Sequence, residues 1–233
     1  TWVAGDEVKF VWAGGETTAK ASASGASTTF AVELAEEVSE VYAVYPATMP
    51  VALVDGKVVL TFSNTLESGA FKDADICVAK TVKSEGAWNT TLNFKNAACL
   101  LKVGVSGNDI TRIQIAAVGE EVLAGDLTVT FDDNGDLSFE YPESGKTTTN
   151  MDIAGPGNYY FPVFPGVELA DGFRVNCFVT GDEGEDTLTP FYYKGAFTTG
   201  RGQIIILSEI ESRLGQYYVT PEGAGAKAGQ NWA

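Results

Sequence analysis

The chain has 233 residues, of which 31 are acidic and 15 are basic, and it contains no histidine, so its formal net charge is −16. Ser-His-Asp and Cys-His catalytic sites need an imidazole base, and histidine-containing zinc or haem sites need an imidazole ligand, so these classes are excluded. Because nucleic-acid surfaces and polybasic membrane-docking patches both need clustered Lys and Arg, the acidic balance argues against either partner.

Short apolar or alternating runs, broken by Gly, Asp, Asn and Ser, dominate the chain and are typical of strands and turns. Helical signals are thin, since even Ala31–Glu40, which carries good helix formers, begins with strand-like alternation. In chain order the predicted strands are Glu7–Trp12, Thr28–Glu33, Val38–Val44, Lys57–Phe62, Ala74–Lys80, Thr91–Phe94, Cys99–Ser106, Thr111–Ala116, Leu127–Phe131, Leu137–Tyr141, Tyr159–Phe164, Phe173–Thr180, Leu188–Tyr193 and Gln203–Leu207.

Many closely spaced strands with almost no helix favour antiparallel sandwiches over βαβ units. The strands outnumber those of a typical single sandwich, so we predict an all-β fold of two tandem antiparallel β-sandwiches. The natural break is the polar stretch Ser84–Asn89. We therefore predict an N-terminal sandwich over residues 1–88 and a C-terminal sandwich over residues 89–217. Residues 218–233 would form a linker or the beginning of a truncated following domain.

No run approaches the roughly 20 apolar residues needed to span a bilayer. The chain opens on a tryptophan and a polar turn without a signal-peptide pattern, so we expect either a cytosolic protein or a trimmed export product. Cys77, Cys99 and Cys177 are odd in number, widely spaced and set in apolar, strand-like contexts. This pattern argues against a disulfide framework and predicts free, buried thiols.

The segment around Asp132–Asp136 predicts a hairpin. Val129 and Phe131 face Leu137 and Phe139 across it, and its Asn-Gly pair supplies the positive φ values that a tight turn needs.

The same turn resembles a calcium-binding loop in part. Asp132, Asn134 and Asp136 place oxygen ligands at alternate positions, and Glu143 follows further along the chain. Leu137 stands where such a loop needs Gly, and the flanks are strands rather than helices, so we favour an acidic hairpin turn over a metal site. We interpret the acidic stretch from residue 181 to 186 in the same way.

Exposed aromatic rings would offer a sugar-stacking platform, although strands also use aromatic side chains for core and cross-strand packing. Adjacent tyrosines in a strand must point to opposite faces, so one of each pair is expected outside. The candidate ligand-binding residues are Trp12, Trp88, Tyr160 and Tyr192, with Tyr159 and Tyr193 as their strand neighbours.

No catalytic or cofactor site is predicted. Carboxylate-pair hydrolysis needs only two Asp or Glu side chains, but 31 acidic residues give no basis for choosing a pair. The glycines around Arg201 are not followed by the Lys-Ser/Thr of a phosphate loop.

Four segments in a fixed order carry a family resemblance. They are the W-x-x-G-D-x-V opening at Trp2–Val8, the Y-A-V-Y-P strand within Val41–Ala47, the segment Phe94–Val103 followed by Ile110–Ile115 and Leu123–Gly125, and the Y-Y-F-P-V-F-P-G hairpin Tyr159–Gly166 followed by Gly172–Phe173. In this order they resemble the fimbrillin-like proteins of Bacteroidales, which include major fimbrillins and their minor adhesin relatives.

The resemblance implies two transthyretin-like, Greek-key sandwiches in an exported lipoprotein at the cell surface, outer-membrane-anchored or fimbrial. It implies either polymerisation with other fimbrial subunits by donor-strand exchange, or display as an adhesin for host or bacterial surface glycans or proteins. The family's lipid-bearing Cys precedes the matched region, so we expect membrane contact only through an anchor outside this chain.

Two departures from the family concern polymerisation. Family polymerisation often depends on cleavage after an Arg near the first strand, yet the first Arg here is Arg112. No clear C-terminal donor strand follows Ile204–Leu207, because polar residues and a Gly-rich tail come next.

The tail, Tyr217–Ala233, resembles the entry segment of right-handed parallel β-helix domains. We therefore predict a non-enzymatic, cell-surface, fimbrillin-like structural or adhesion module, in a form that would be the N-terminal part of a longer surface protein. The alternatives are a carbohydrate-binding module and a spacer for a downstream β-helix enzyme.

Overall fold

A computed structural model of the protein describes residues 1–181 and 184–211, with side chains placed for residues 1–179 and 192–211. The first half contains β1 (Glu7–Trp12), β2 (Gly15–Lys20), β3 (Glu40–Tyr45), β4 (Val51–Val54), β5 (Lys57–Phe62), β6 (Thr65–Leu66), the one-turn helix α1 (Phe71–Ala74), β7 (Cys77–Ser84), β8 (Ala87–Trp88), β9 (Lys95–Asn96) and β10 (Cys99–Val105). The chain continues with β11 (Ile110–Ala117), β12 (Gly125–Phe131), β13 (Leu137–Glu140), β14 (Thr148–Asp152), β15 (Gly157–Val163), β16 (Glu168–Leu169), β17 (Phe173–Gly181), β18 (Gly184–Tyr193), β19 (Phe197–Thr198) and β20 (Ile204–Ile206).

The longer strands form four sheets. Sheet A has the order β2-β1-β3-β7, with β8 and β9 paired to β7, and sheet B has the order β13-β12-β5-β4. Sheet C has the order β15-β10-β20, and sheet D the order β18-β17-β11-β14-β6. Most neighbours are antiparallel, while β20 runs parallel to β10 and β6 runs parallel to β14.

Sheets A and B form the first sandwich. Side-chain alternation sends Val11 and Val44 of sheet A toward the same core as Leu60, Leu127 and Val129 of sheet B. Burial of such side chains away from water is the main force that holds two sheets face to face.

Sheets C and D form the second sandwich over a core of their own. Leu101 and Phe161 of sheet C pack with Ile113, Met151 and Val175 of sheet D, and all five are buried. The predicted all-β sandwich fold is confirmed.

Strand pairing joins the two sides of the predicted boundary at residue 88. In sheet B, Leu60 of β5 lies opposite Leu127 of β12, so the hairpin β12–β13 completes the first sandwich from the second half of the chain. Similarly, β6 pairs with β14 in sheet D. The division into residues 1–88 and 89–217 stays a prediction, and residues 218–233 lie outside the described part of the chain.

Sheet A buries its outer face as well. Val8 and Phe10 of β1 and Val41 of β3 are covered there by chain segments that belong to no sheet. Trp2 anchors this cover through edge-on ring contacts, with its centroid 5.2 Å from Phe30 and 5.1 Å from Phe94. The tryptophan of the opening motif is thus a packing residue.

The covering segments are two stretches predicted as strands, and both predictions are wrong. Thr28–Glu33 and Thr91–Phe94 form no ladder, although Phe30, Val32, Leu92 and Phe94 pack against the core of sheet A. In each stretch every second side chain is half-buried, so the extended chain alternates as a strand would. Packing on a sheet face produces the same sequence pattern as pairing within a sheet.

Most other strand predictions are confirmed. Glu7–Trp12 and Lys57–Phe62 have the predicted bounds, and the Asp132–Asp136 hairpin forms with Phe131 opposite Leu137. The predicted strand Ala74–Lys80 instead begins at Cys77, because the preceding residues form α1. The strands missed were β2, β4, β14 and the two-residue strands.

The three cysteines are free, with Cys99 and Cys177 buried and Cys77 half-buried. The free-thiol prediction is therefore confirmed, and burial raises the pKa of Cys99 to about 11. Within the described residues, no helix is long and apolar enough to cross a membrane.

Candidate functional site

The outer face of sheet C is largely apolar and is exposed along its edge strand β20, whereas Leu100 of β10 is 4% exposed and packs in the core of the first sandwich. Across its three strands Tyr160, Lys102 and Ile206 lie side by side, and Pro162, Leu100 and Ile204 form the next row. The outward side chains of β20 are the least covered, since Ile206 is 72% and Ile204 is 44% exposed. Three consecutive isoleucines in one strand cannot all face the core, because alternate side chains point to opposite faces. Ile205 takes the inward position.

Helix α1 extends this apolar face beyond β15. Phe71, which is 41% exposed, lies edge-on to the ring of Tyr160 with the two centroids 5.3 Å apart. The Lys102 ammonium lies 5.9 Å from the centroid of the Tyr160 ring, within reach of a cation–π attraction.

Gly69 lets the chain reach this position. The Gly69 carbonyl accepts a hydrogen bond from the Tyr160 amide at 3.0 Å. A Cβ at residue 69 would meet the Tyr159 ring at 2.6 Å and the Met151 sulfur at 2.7 Å. A side chain would therefore push the segment that carries Phe71 away from β15.

A cavity of about 200 Å³ opens beside the row that contains Ile204. It lies where α1, the start of β7, β9 and the loop before β20 meet. Its lining residues are Phe71, Asp75, Ile76, Asn96, Ala98, Leu100, Gly202 and Ile204. Gly202 has a positive φ of 68°, and its missing side chain lets the loop approach Asn96, whose Oδ1 would lie 3.1 Å from a Cβ there.

Asp75 and Asn96 are the polar residues of the cavity wall. Asn96 Nδ2 donates to Asp75 Oδ1 at 2.9 Å and also lies 3.4 Å from Cys77 Sγ. The Cys77 thiol donates to the same carboxylate oxygen at 3.8 Å. Burial raises the pKa of Asp75 above its usual range, and burial together with the neighbouring Asp75 raises the pKa of Cys77 to about 12. The thiol is therefore protonated at neutral pH and is not a nucleophile.

Chemically, this arrangement can bind a small molecule. The cavity offers a carboxylate and an amide beside aromatic and aliphatic walls, a combination typical of small-molecule sites. Glycosidase chemistry needs a second carboxylate across the bond, and Asp75 is the one acid among the lining residues.

The four aromatic candidates lie at separate places. Tyr160 belongs to the outer face of sheet C described above. Tyr192, in β18, is exposed and has the Lys194 ammonium 5.0 Å from its ring centroid. Its neighbour Tyr193 points the other way and stacks on Phe173. The expected opposite orientation is likewise seen at Tyr159 and Tyr160, which pack against different cores.

Trp12 and Trp88 both lie at the margin of the covered face of sheet A. Trp12 lies over Gly15, where a Cβ would be 2.9 Å from the indole ring, and it lines an open cleft of about 480 Å³ with Glu16, Val51 and Leu53. Trp88 pairs through its backbone with Lys83. Whether any of the four aromatic residues binds a ligand stays a prediction.

The calcium candidates are engaged in local structure. Asp132 Oδ1 accepts hydrogen bonds from the amides of Asn134 at 2.9 Å and Asp136 at 2.7 Å, which closes the turn. Asp136 Oδ1 lies 2.5 Å from Lys95 Nζ, and this hydrogen bond lowers the pKa of Asp136. Glu143 is exposed.

Among the described residues, no three His, Cys, Asp or Glu side chains are grouped to hold a metal ion. The side chains of the second acidic turn, residues 181–186, are outside those that the structure describes.

Sequence reasoning missed most residues of the sheet C site. Phe71, Asp75, Asn96 and Gly202 are far apart in sequence, and none belongs to a local motif. The isoleucine run at residues 204–206 was the available signal, because alternation requires at least one of the three to face outward.

Three solved structures resemble the fold. A "putative cell adhesion protein" from Bacteroides ovatus matches 91% of this chain and 83% of its own, with a TM-score of 0.50 at 12% identity. A "putative cell adhesion protein" from Bacteroides thetaiotaomicron matches 89% of this chain and 79% of its own, with a TM-score of 0.41 at 13% identity. A "fimbrial protein" from Bacteroides ovatus matches 91% of this chain and 46% of its own, with a TM-score of 0.34 at 11% identity.

Of these three likenesses, the first shows a shared fold and the other two are too distant to carry an argument. No protein-family model matches the sequence, and no curated protein sequence matches it.

Proposed function

We propose that this chain is a non-enzymatic structural and adhesion module displayed on a bacterial cell surface. The observation that carries the proposal is an apolar patch on a well-packed sandwich, in which Ile204, Ile206 and Phe71 are exposed and half-buried Tyr160 packs edge-on against Phe71. Large exposed apolar side chains grouped on one face mark interaction surfaces in soluble proteins.

The fold supports the same proposal. The Bacteroides ovatus structure with the shared fold is described as a cell adhesion protein, and the four ordered motifs resemble fimbrillin-like proteins. By this inference the mature protein is a lipoprotein, outer-membrane-anchored or fimbrial. A β-helix after Tyr217 also stays a prediction, since Tyr217–Ala233 lies outside the described residues.

Assembly with other subunits by donor-strand exchange is a further part of the proposal. Strand β20 forms one edge of sheet C, and in the described part of the chain no strand pairs with its other side. A strand from another subunit would add there through main-chain hydrogen bonds. Subunits joined in this way would run as a ladder of oligomers in SDS without heating and as one band after boiling.

Surface display is tested on intact cells. The complete gene would be expressed with an epitope tag in a Bacteroides host, and cells would be labelled with antibody before and after proteinase K treatment. We expect labelling of intact cells that protease removes. Labelling that appears only after lysis contradicts the proposal.

Adhesion is tested with purified protein on beads. Beads carrying the double substitution Phe71→Ala, Ile206→Ser should bind bacterial or epithelial surfaces several-fold less than wild-type beads, because a central apolar anchor is lost. The matched control is Val54→Ser, which removes an exposed side chain at the end of β4 in sheet B. Equal loss with the control variant contradicts the assignment to sheet C.

A further inference from the structure

We propose that the cavity between α1 and β20 binds a single neutral pyranose residue, such as the terminal sugar of a surface glycan. This inference deepens the adhesion role proposed above and rests on it.

The polar wall presents acceptors. Asn96 Nδ2 is directed to Asp75 Oδ1, which turns the amide oxygen of Asn96 and the second oxygen of Asp75 toward other partners. In the described part of the chain, neither of these two oxygens accepts a hydrogen bond. An ionised carboxylate accepts only, and its hydrogen bonds are about twice as strong as neutral ones. The complementary ligand is therefore a donor of adjacent O–H groups.

The rest of the lining is apolar and partly aromatic. Phe71 and Ile204 line the cavity, and Tyr160 supports Phe71 from the side. The face of an aromatic ring carries partial negative charge, which attracts the slightly positive C–H groups on one face of a pyranose ring. A sugar has hydroxyl donors around its rim and C–H groups on its face, so it matches both walls at once.

The size of the cavity restricts the ligand to one residue. At about 200 Å³ it is smaller than the roughly 300–1,000 Å³ of typical small-molecule clefts. Ile204 lines the cavity and is 44% exposed, so solvent reaches this side and leaves space for the rest of a glycan outside.

Charge selects a neutral sugar. Asp75 and the net charge of −16 repel uronic acids, sialic acids and phosphates. The N-terminal ammonium of Thr1 acts electrostatically on Asp75 and weakens the attraction of this carboxylate for a free cation. A divalent metal needs several oxygen ligands, and Asp75 is the single acid of the lining.

The test is saturation-transfer NMR on the full chain with the methyl glycosides of glucose, galactose, mannose, fucose and N-acetylglucosamine. Glucuronic acid and Nα-acetyl-lysine amide serve as anionic and cationic comparison probes. We expect transfer to at least one neutral glycoside, a Kd at least roughly tenfold weaker for Asp75→Asn, and a loss of about three- to tenfold for Phe71→Ala.

Two variants serve as matched controls. Asp55→Asn changes an acid in the β4–β5 turn where the positive φ of 49° tolerates Asn, and Val54→Ser removes an exposed apolar side chain at the end of β4. Both should bind like wild type, and circular dichroism verifies that all four variants are folded.

The proposal is overturned if no neutral glycoside gives transfer, if the cationic or anionic probe binds instead, or if Asp55→Asn weakens binding as much as Asp75→Asn. Failure here is distinguishable from failure of the proposed function. If the protein is labelled on intact cells but binds no sugar, only the sugar-site proposal is contradicted. If the protein binds a sugar but is absent from the cell surface, only the proposed display role is contradicted.

Discussion

The outer faces of sheets A and C make opposite use of apolar side chains. Both sheets bury their inner faces in a sandwich core. On sheet A the chain supplies its own cover, with Trp2, Phe30 and Phe94 packed edge-on over β1 and β3. On sheet C, Ile204 and Ile206 remain exposed.

The difference shows that the protein has segments able to cover an apolar sheet face, yet the β20 edge of sheet C is left open in the described part of the chain. On sheet A apolar side chains contribute to folding, because they leave water when the chain folds. On β20 the outward Ile204 and Ile206 contribute little to folding and are available for contact with another molecule. The two faces therefore respond differently to the same kind of substitution.

The largest expected effect separates the inner from the outer face of sheet C. Leu101→Ala creates a cavity in the second core, where Leu101 is fully buried, and should lower the free energy of unfolding by about 2–5 kcal/mol. Ile206→Ser should change it by less than about 0.5 kcal/mol. Urea unfolding followed by circular dichroism measures both. Equal effects would mean that the outer face of β20 is also packed.

The next effect concerns the cover of sheet A. Trp2→Ala removes three edge-on ring contacts, with Phe30, Tyr45 and Phe94, and should cost about 2–3 kcal/mol because Trp2 is only partly buried. Tyr192→Ala, which removes an exposed ring, should cost less than about 0.5 kcal/mol. Urea unfolding measures both variants. If Trp2→Ala leaves the free energy of unfolding unchanged, the cover of sheet A is dispensable for stability.

Sequence pattern predicted the strands well and their partners poorly. The period-2 alternation of β1, β5 and the β12–β13 hairpin was sufficient to place them, because each has one face in a core. Alternation does not reveal whether an extended segment pairs or merely packs, which is why Thr28–Glu33 and Thr91–Phe94 were predicted as strands. The pairing of β5 with β12 depends on contacts between distant residues, about which local pattern is silent.

The candidate site was predicted least. Tyr160 was found because exposed aromatic side chains are recognisable in a tyrosine pair. Asp75 and Asn96 meet only because α1, β7 and β9 converge, and one Asp among 31 acids carries no signal of its own. A site assembled from separate elements becomes visible only when their packing is known.

A smaller effect on stability is expected at Gly69, which precedes α1. Gly69→Ala places a Cβ against the Tyr159 ring and Met151, and the resulting shift should cost about 1–2 kcal/mol and separate Phe71 from Tyr160. Gly157→Ala is the matched control, since the nearest atom to its Cβ is at an ordinary 3.6 Å. Thermal unfolding gives the stability, and aromatic NOEs between residues 71 and 160 report the contact. Persistence of those NOEs in Gly69→Ala would contradict the role assigned to Gly69.

The smallest expected effect is the pH dependence contributed by Asp75 beside the open face. Burial raises the pKa of Asp75 above its unfolded value near 3.8, so the folded chain binds this proton more tightly than the unfolded chain. Ionised Asp75 therefore lowers stability above its folded pKa, and this penalty disappears as the pH falls below the unfolded value. Asp75→Asn removes the penalty, so its stability relative to wild type should be greatest at neutral pH and decline toward acid. The difference should be about half a kcal/mol or less, because water reaches the carboxylate.

Asp136→Asn supplies the opposite sign for this measurement. The Lys95 hydrogen bond lowers the pKa of Asp136, so Asp136 contributes stability above its unfolded pKa that is lost as the pH falls through its folded pKa. Relative to wild type, Asp136→Asn should therefore be less stable at neutral pH and recover toward acid, whereas Asp75→Asn should behave in the reverse way. Urea midpoints from neutral pH down to about pH 2.5, which spans the unfolded pKa of both groups, compare the two variants directly. The stability difference from wild type could instead change with pH in the same direction for both variants. Asp75 would then be paired or fully solvated. The cavity beside sheet C would in that case lack a desolvated carboxylate acceptor.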